Sequence, residues 1–496
     1  MIKCRRYPRY GFNIATLYGR MLRMNLPDVK LDPQSDEIVF VDFDHTLLAA
    51  NSTELFIVSC KPAAVASVFE VLIRRCVPWS RLGIANPHRV RDYLCVMSLA
   101  ILMPWNVLLW RRNAPAVFER LASSDLSTTL RSVRMSRITI ISFGMKFIIR
   151  ALLAKSALAN VKVIATPALS PPSYFSQGKR SLAVAAVGDA ATRASTLITD
   201  SREDEDLLAY CRDGILISQQ GATTCASKLL FFPLRYFARV KYNRAYLVDQ
   251  ILLVDLAISV LSLASSLSSF FCFLLICPFF VISLNCIYEI GYFENDMHAA
   301  ATEAKPVLSD KVAEYRDYPV AVDSWVWAIG LAAAGLFVAM STNTITAALL
   351  LPSLALWVAA LVAIRATFYL YNRINTQRRV AVYPILQMLK YGSIFLLFSP
   401  HTLGVVLVVS QIATLWTNYI IYRHGGQNGP FQKNLFRLQF FAISASLFTL
   451  GIIIDDREPP LMLATSSYVF CLVVIMAWLG FRLIKTEKMG RLLRFA

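Results

Sequence analysis

The chain has 496 residues, 56% of them apolar, and a formal net charge of +18. That apolar share exceeds the globular average, and the excess gathers after about residue 245, which excludes a single soluble domain. The basic residues flank apolar runs and show no nucleic-acid recognition pattern, so they are read as setting membrane orientation rather than binding nucleic acid.

Residues 1–36 form a basic leader (Lys3, Arg5, Arg6, Arg9) without the continuous apolar core of a cleaved secretory signal. The ten cysteines are scattered without paired zinc spacing and read as reduced packing residues. Residues 37–218 alternate short apolar strands with helical stretches, the pattern of an α/β domain. Strands are predicted at 38–41, 138–142, 161–165, 195–199 and 214–217. Between the first two lies a helical insertion, about 50–135, too long for a loop and read as a cap. Within it, residues 93–110 are apolar enough to approach a membrane, but Pro104 breaks the run, favouring a cap or interfacial helix.

Residues 219–245 are a basic, aromatic connector suited to a headgroup surface. Beyond it, 246–496 reads as an all-α polytopic membrane bundle. Eight spans are predicted, at about 246–265, 268–292, 322–341, 344–370, 381–399, 402–422, 436–454 and 460–481. One set of connections carries Arg373, Arg378, Arg379, Arg423, Lys433 and Arg437, and the other is nearly uncharged until Asp455. The positive-inside rule then puts the soluble domain and both termini on the cytoplasmic side of the cell (inner) membrane.

The first predicted strand opens onto Asp42-Phe43-Asp44-His45-Thr46. This Asp-x-Asp-x-Thr resembles the first motif of the haloacid dehalogenase superfamily of phosphatases. The resemblance extends in order to Ser142 for phosphate binding and to Lys179, with Arg180 or Lys162 as alternatives. It ends on the acidic pair Asp200 and Asp204. It implies Asp42 as the carboxylate nucleophile, Asp44 as general acid and base, and Thr46, Ser142 and Lys179 as phosphate binders. It also implies Mg2+ held by Asp42, the Asp44 carbonyl and Asp200 or Asp204.

At and beyond the end of the second apolar segment, Glu289, Asp296 and Glu303 are spaced seven apart and, if the helix continues, share one face, with Asn285 and Tyr292 close to the stripe. Carboxylates at a membrane boundary are costly unless paired, hydrated or metal-bound, and this arrangement suits Mg2+ and a diphosphate leaving group. The duller reading, an amphipathic helix end whose acids face water, suits Glu294 better than Glu289.

Here the chain resembles the UbiA-type intramembrane transferases. Asn295-Asp296 and Glu303 match their first acidic signature, while Ala299 replaces the middle acid, leaving Glu289 to compensate. Tyr371-Asn372-Arg373, Arg378-Arg379, Tyr383, Gln387 and Lys390 resemble the second region of the polyprenyl-phosphate phosphoribosyltransferase branch. The resemblance covers about residues 235–485 and implies a bundle of about nine spans, one more than the apolar runs give. It implies Mg2+ held through Asn285, Glu289, Asn295, Asp296 and Glu303, with Tyr292, Lys305, Arg373, Arg378 and Lys390 toward substrate. The basic cluster at 373–379 serves donor-phosphate binding and topology signalling equally well. Asp255, inside the first predicted span, either faces a cavity or pairs within the bundle.

The combined expectation is a membrane transferase with a fused phosphatase. It would move phosphoribosyl from phosphoribosyl diphosphate to a polyprenyl phosphate, and the soluble domain would remove the remaining monoester. The alternatives are prenyl transfer from a polyprenyl diphosphate to an aromatic or other acceptor, and a transporter with a regulatory domain.

Overall fold

The computed structural model describes residues 24–25, 35–84, 86–219, 230–242, 244–302, 308–316, 318–375, 377–424, 431–454 and 466–492. Most of the leader and the first half of the connector lie outside the described residues. The protein is mostly helical and divides into two compact units, Met1–Phe232 with Asp317–Pro319, and Pro233–Arg316 with Val320–Ala496.

The first unit is built on five parallel strands: β1 (Val39–Asp42), β2 (Ile138–Met145), β3 (Lys162–Thr166), β4 (Thr196–Thr199) and β5 (Asp213–Leu216), in the order β3-β2-β1-β4-β5. Each coincides with a predicted strand to within a few residues. Every residue of β1 and β4 is buried, as expected of strands covered on both faces. The chain moves outward from β1 to β2 and β3, then crosses back to β4 and β5. The crevice at the carboxyl ends of β1 and β4 is therefore the topological switch point, where open α/β sheets place ligands.

Between β1 and β2 the described chain is helical: Ser52–Ser59, Ala63–Val71, Pro87–Leu102, Trp105–Leu121 and Ser124–Arg131 are its α-helices. This insertion shares the core of the sheet. Phe43, just past β1, stacks on Phe118, and Phe56 meets Trp110 edge to face. The Trp110 indole donates to the Ile148 carbonyl at 3.3 Å.

In the second unit five described helices are long and apolar enough to cross a membrane: Leu267–Ala301, Val320–Ser341, Ala347–Arg373, Thr402–Arg423 and Ser466–Lys485. This corrects the eight to nine spans expected. The first predicted span is divided into a wide π-helical stretch, Leu247–Leu256, and a short α-helix, Ala257–Leu263. The fifth is an amphipathic helix, Arg379–Gly392, carrying Pro384 and Lys390 and giving way to a 3-10 turn at Ser393–Leu396. The seventh falls in Lys433–Ile454, which begins with Lys433 and Arg437 in its first two turns. In the first unit, the helices flanking Pro104 would add a sixth span only as one broken element, since they bend by 111°.

Close approach in the bundle relies on glycine. A Cβ at Gly404 would run into the Ser262 backbone, and one at Gly291 into the Phe368 ring. Both glycines sit in helices that meet a neighbour backbone-to-backbone or against a fixed aromatic side chain.

Candidate active site and the acidic helix stripe

At the end of β1 the chain alternates its side chains. Asp42 and Asp44 line the crevice while Phe43 is buried in the core. His45 then takes a left-handed conformation (φ 60°), a strained choice for a residue other than glycine, with Leu47 and Leu48 both donating to the Phe43 carbonyl. The turn carries Thr46 to β4. Its hydroxyl donates to Asp200 Oδ1 at 2.6 Å and accepts from the Asp200 amide at 3.0 Å.

Residues far apart in sequence meet here. Lys179, the first residue of helix Lys179–Val187, places its ammonium 2.8 Å from Asp42 Oδ1 and 2.8 Å from Asp204 Oδ2. The Thr199 hydroxyl lies 2.6 Å from Asp204 Oδ2 and 3.1 Å from Asp42 Oδ2. Asp44 is held on both oxygens: Ser52 N, opening helix Ser52–Ser59, donates to Oδ1 at 2.6 Å, and the Ser142 hydroxyl donates to Oδ2 at 3.1 Å. The Gly144 amide donates to the Ser142 hydroxyl at 2.9 Å, fixing its orientation. All of these side chains except Asp44 and Asp200 are nearly fully buried.

Burial pushes the Asp42 carboxyl up to about 7 against the lowering pull of Lys179, and Asp204 adds a smaller push in the same direction as burial. Burial alone would pull Lys179 down, but Asp42 and Asp204 together raise it, so it remains a cation.

The alternatives to Lys179 are placed elsewhere. Lys162, at the start of β3, donates to the Ala186 carbonyl, and Arg180 stacks on Tyr210. Of the acidic pair, Asp204 is enclosed with Lys179 and Thr199, while Asp200 borders the cleft through its link to Thr46.

The cleft, of about 350 Å³, is lined by six carboxylates (Asp42, Asp44, Asp92, Asp200, Glu203, Asp204) against two permanent cations, Arg89 and Lys179. That surplus of hard oxygen donors fits a divalent cation. Among the described residues no three His, Cys, Asp or Glu side chains converge as a ready metal cage. Mg2+ asks for less, one or two carboxylates completed by carbonyl, water and substrate phosphate, and Asp42, Asp44 and Asp200 line the cleft where these would be sought.

Sequence reasoning missed Thr199, whose only signal is its place before Asp200 at a strand end. It also missed Arg89, His88 and Tyr93, which the insertion contributes to the cleft. The Arg89 guanidinium lies 3.4 Å from the Phe143 ring centroid and donates to the Gln177 carbonyl at 3.1 Å.

In the second unit, one 36-residue helix, Leu267–Thr302, carries Asn285, Glu289, Tyr292, Asn295 and Asp296. Its polar residues separate into distinct neighbourhoods. Glu289 accepts backbone amides from Leu234 (2.9 Å), Tyr236 (2.9 Å) and Phe237 (3.2 Å), capping the helical turn at 235–241. Asp296 accepts from the Tyr236 hydroxyl at 2.9 Å and pairs with Lys241 at 2.6 Å. Protein donors thus meet both carboxylates where Mg2+ was expected. In the described part of the connector Arg235, Tyr236 and Phe237 are buried, while Tyr242 is exposed. Tyr292 packs between Phe237 and Phe368.

Asn295 accepts a long bond from Arg379 (3.4 Å), which also reaches the Asn372 carbonyl. Asn285 donates to the Val281 carbonyl and borders a small cavity with Asp255, Lys390 and Tyr391. There Lys390 pairs with Asp255 at 2.6 Å, and Tyr391 donates to the same carboxylate at 2.8 Å. Asp255 therefore both pairs within the bundle and faces a cavity. Arg373 stacks on Tyr369, and Arg378 is exposed just before helix Arg379–Gly392. Glu303 and Lys305 lie outside the described residues.

Comparison with protein-family models, with curated proteins and with solved structures finds no match to the chain.

Proposed function

We propose that the first unit is a Mg2+-dependent phosphomonoester hydrolase working through a covalent aspartyl-phosphate. The observation that carries this reading is the convergence of Asp42, Lys179, Thr199 and Asp204 with Asp44 and Ser142 at the switch point. An Asp42 oxygen attacks phosphorus, forming the acyl-phosphate bond as the ester P–O bond breaks. Asp44, held by Ser52 and Ser142, gives its proton to the departing alkoxide. It then takes a proton from the water that attacks phosphorus, releasing inorganic phosphate and restoring Asp42. Mg2+, when bound by Asp42, Asp200 and the Asp44 carbonyl, would neutralise charge between nucleophile and phosphate. Lys179 keeps Asp42 in place and supplies positive charge to the transferring group, while Asp204 and Thr199 position Lys179.

For the membrane unit the proposal remains a UbiA-type transferase acting on a polyprenyl lipid, phosphoribosyl transfer being preferred to prenyl transfer because its product retains a monoester. Support comes from the motif positions at Asn295-Asp296 and from the cations Arg379, buried, and Lys390, partly buried, which border helix Leu267–Thr302 or its cavity. The acidic stripe contributes less to this reading, since residues 234–241 engage it.

The test is phosphate release from a water-soluble phosphomonoester by the full-length protein with Mg2+. Wild type should turn over, and Asp42→Asn should not. Equal rates for both would refute the assignment.

A further inference from the structure

We propose that the helical hairpin of the first unit dips into the bilayer surface, so that the cleft beside it takes a phosphate monoester displayed on a lipid. The chemistry rests on the phosphatase reading above, and the geometry rests on the hairpin alone. Helices Pro87–Leu102 and Trp105–Leu121 bend by 111° around Met103 and Pro104. Met103 is buried, yet Ile101 is 68% exposed, Leu102 55%, Trp105 47% and Leu108 66%. So much apolar surface in so short a stretch marks an interaction site rather than ordinary scatter.

The tip is fixed in place. The Trp105 indole donates to the Lys61 carbonyl at 2.8 Å, and buried Asn106 clasps the same peptide, accepting from Lys61 N at 2.8 Å. The indole nitrogen is thereby satisfied while much of the ring stays open.

Lipid suits this surface better than a protein partner. Exposed Arg111 and Arg112 follow the apolar tip directly, matching acyl chains below and anionic headgroups above. A tryptophan at that boundary is typical of membrane interfaces. Together the two helices have the composition of a membrane-crossing segment, and the same chain carries five further helices able to cross.

One helix links this tip to the chemistry. His88, Arg89, Asp92 and Tyr93, in the first turns of Pro87–Leu102, line the phosphate cleft, while Ile101 and Leu102 end the same helix at the tip. At 1.5 Å per residue the two ends are about 20 Å apart. A tip seated among acyl chains would hold the cleft near headgroup height, within reach of a phosphoryl group displayed by a lipid headgroup. The reaction is hydrolysis: the ester P–O bond breaks, water supplies the hydroxyl and proton, and the lipid alcohol stays in the membrane.

The test uses full-length protein reconstituted in anionic vesicles, comparing wild type with an Ile101→Glu, Leu108→Glu double variant. Two substrates are offered, p-nitrophenyl phosphate in solution and phosphatidic acid in the vesicle. The variant should lose about tenfold on the vesicle substrate while matching wild type on the soluble one. Lipids brominated along the acyl chain should quench the part of the emission that Trp105→Phe removes. Equal activity of variant and wild type on both substrates, with no such quenching, would overturn the proposal. So would loss of self-association in the variant without a vesicle-specific effect, which would assign the tip to a second copy of the chain. If wild type cleaves neither ester, the phosphatase reading fails, and the quenching alone decides whether the tip meets lipid.

Discussion

Each unit holds two buried carboxylates whose charge has to be met, and the two pairs are met in different ways. In the first unit Asp42 and Asp204 flank Lys179 at the wall of an open cleft, with an uncapped strand end beside them. In the second, Glu289 and Asp296 face a segment that supplies three backbone amides, a phenol and an ammonium. The first arrangement leaves negative charge in excess, which a divalent cation and a phosphate can use. The second is met by hydrogen-bond donors and one ammonium from the chain itself, which ties residues 234–241 to a membrane-length helix. Acidic residues at regular spacing thus identify where charge must be compensated, but the compensating group can be a ligand or the chain itself.

The largest test of this contrast is Lys179→Ala. It leaves Asp42 and Asp204 buried side by side without a cation, and phosphate release should fall by on the order of 10³. Next is Glu289→Gln, which keeps shape but removes charge and turns an amide N–H toward backbone donors. It should cost about 2–3 kcal/mol, read as earlier loss of monodisperse protein on heating in detergent, with phosphate release per folded molecule unchanged. A drop in phosphate release per folded molecule would break the division of labour drawn here.

Gly404→Ala should also destabilise the bundle, because its methyl group meets backbone at Ser262 rather than a movable side chain. The loss should be about 1–3 kcal/mol, measured by the same heating assay.

A smaller effect, in pH dependence, sharpens the reading of Asp42. The carboxylate is the attacking form and its pKa is raised to about 7. At limiting Mg2+, kcat/KM should therefore fall about tenfold per pH unit below that value and level off above it. Saturating Mg2+ stabilises the anion and should move this limb to lower pH. A limb that ignores Mg2+ would place the metal away from Asp42.

The sheet was legible because Val- and Ile-rich runs bounded by polar turns can only be buried strands, and Asp42 follows from the first of them. Lys179 was legible as a type at a spacing, although only the fold distinguishes it from Lys162, which sits at the opposite end of its strand. Arg89 and Tyr93 were invisible, since they come from an insertion with no motif and reach the cleft through packing. Glu289 and Asp296 do fall on one continuous helix, yet helical spacing gives no information about which segment covers them. Backbone amides of residues 234–237 leave no trace in side-chain identity. The span count was too high because mean apolarity does not register the π-helical and 3-10 breaks at residues 247–256 and 393–396.

The most direct test of the central claim is to quench a single turnover of the full-length protein in acid and reduce it with borohydride, which converts an aspartyl-phosphate to homoserine. Peptide mass spectrometry should then find homoserine at position 42 only when phosphomonoester and Mg2+ were both present. Phosphate release with an unmodified Asp42, or with the adduct on another residue, would contradict the account.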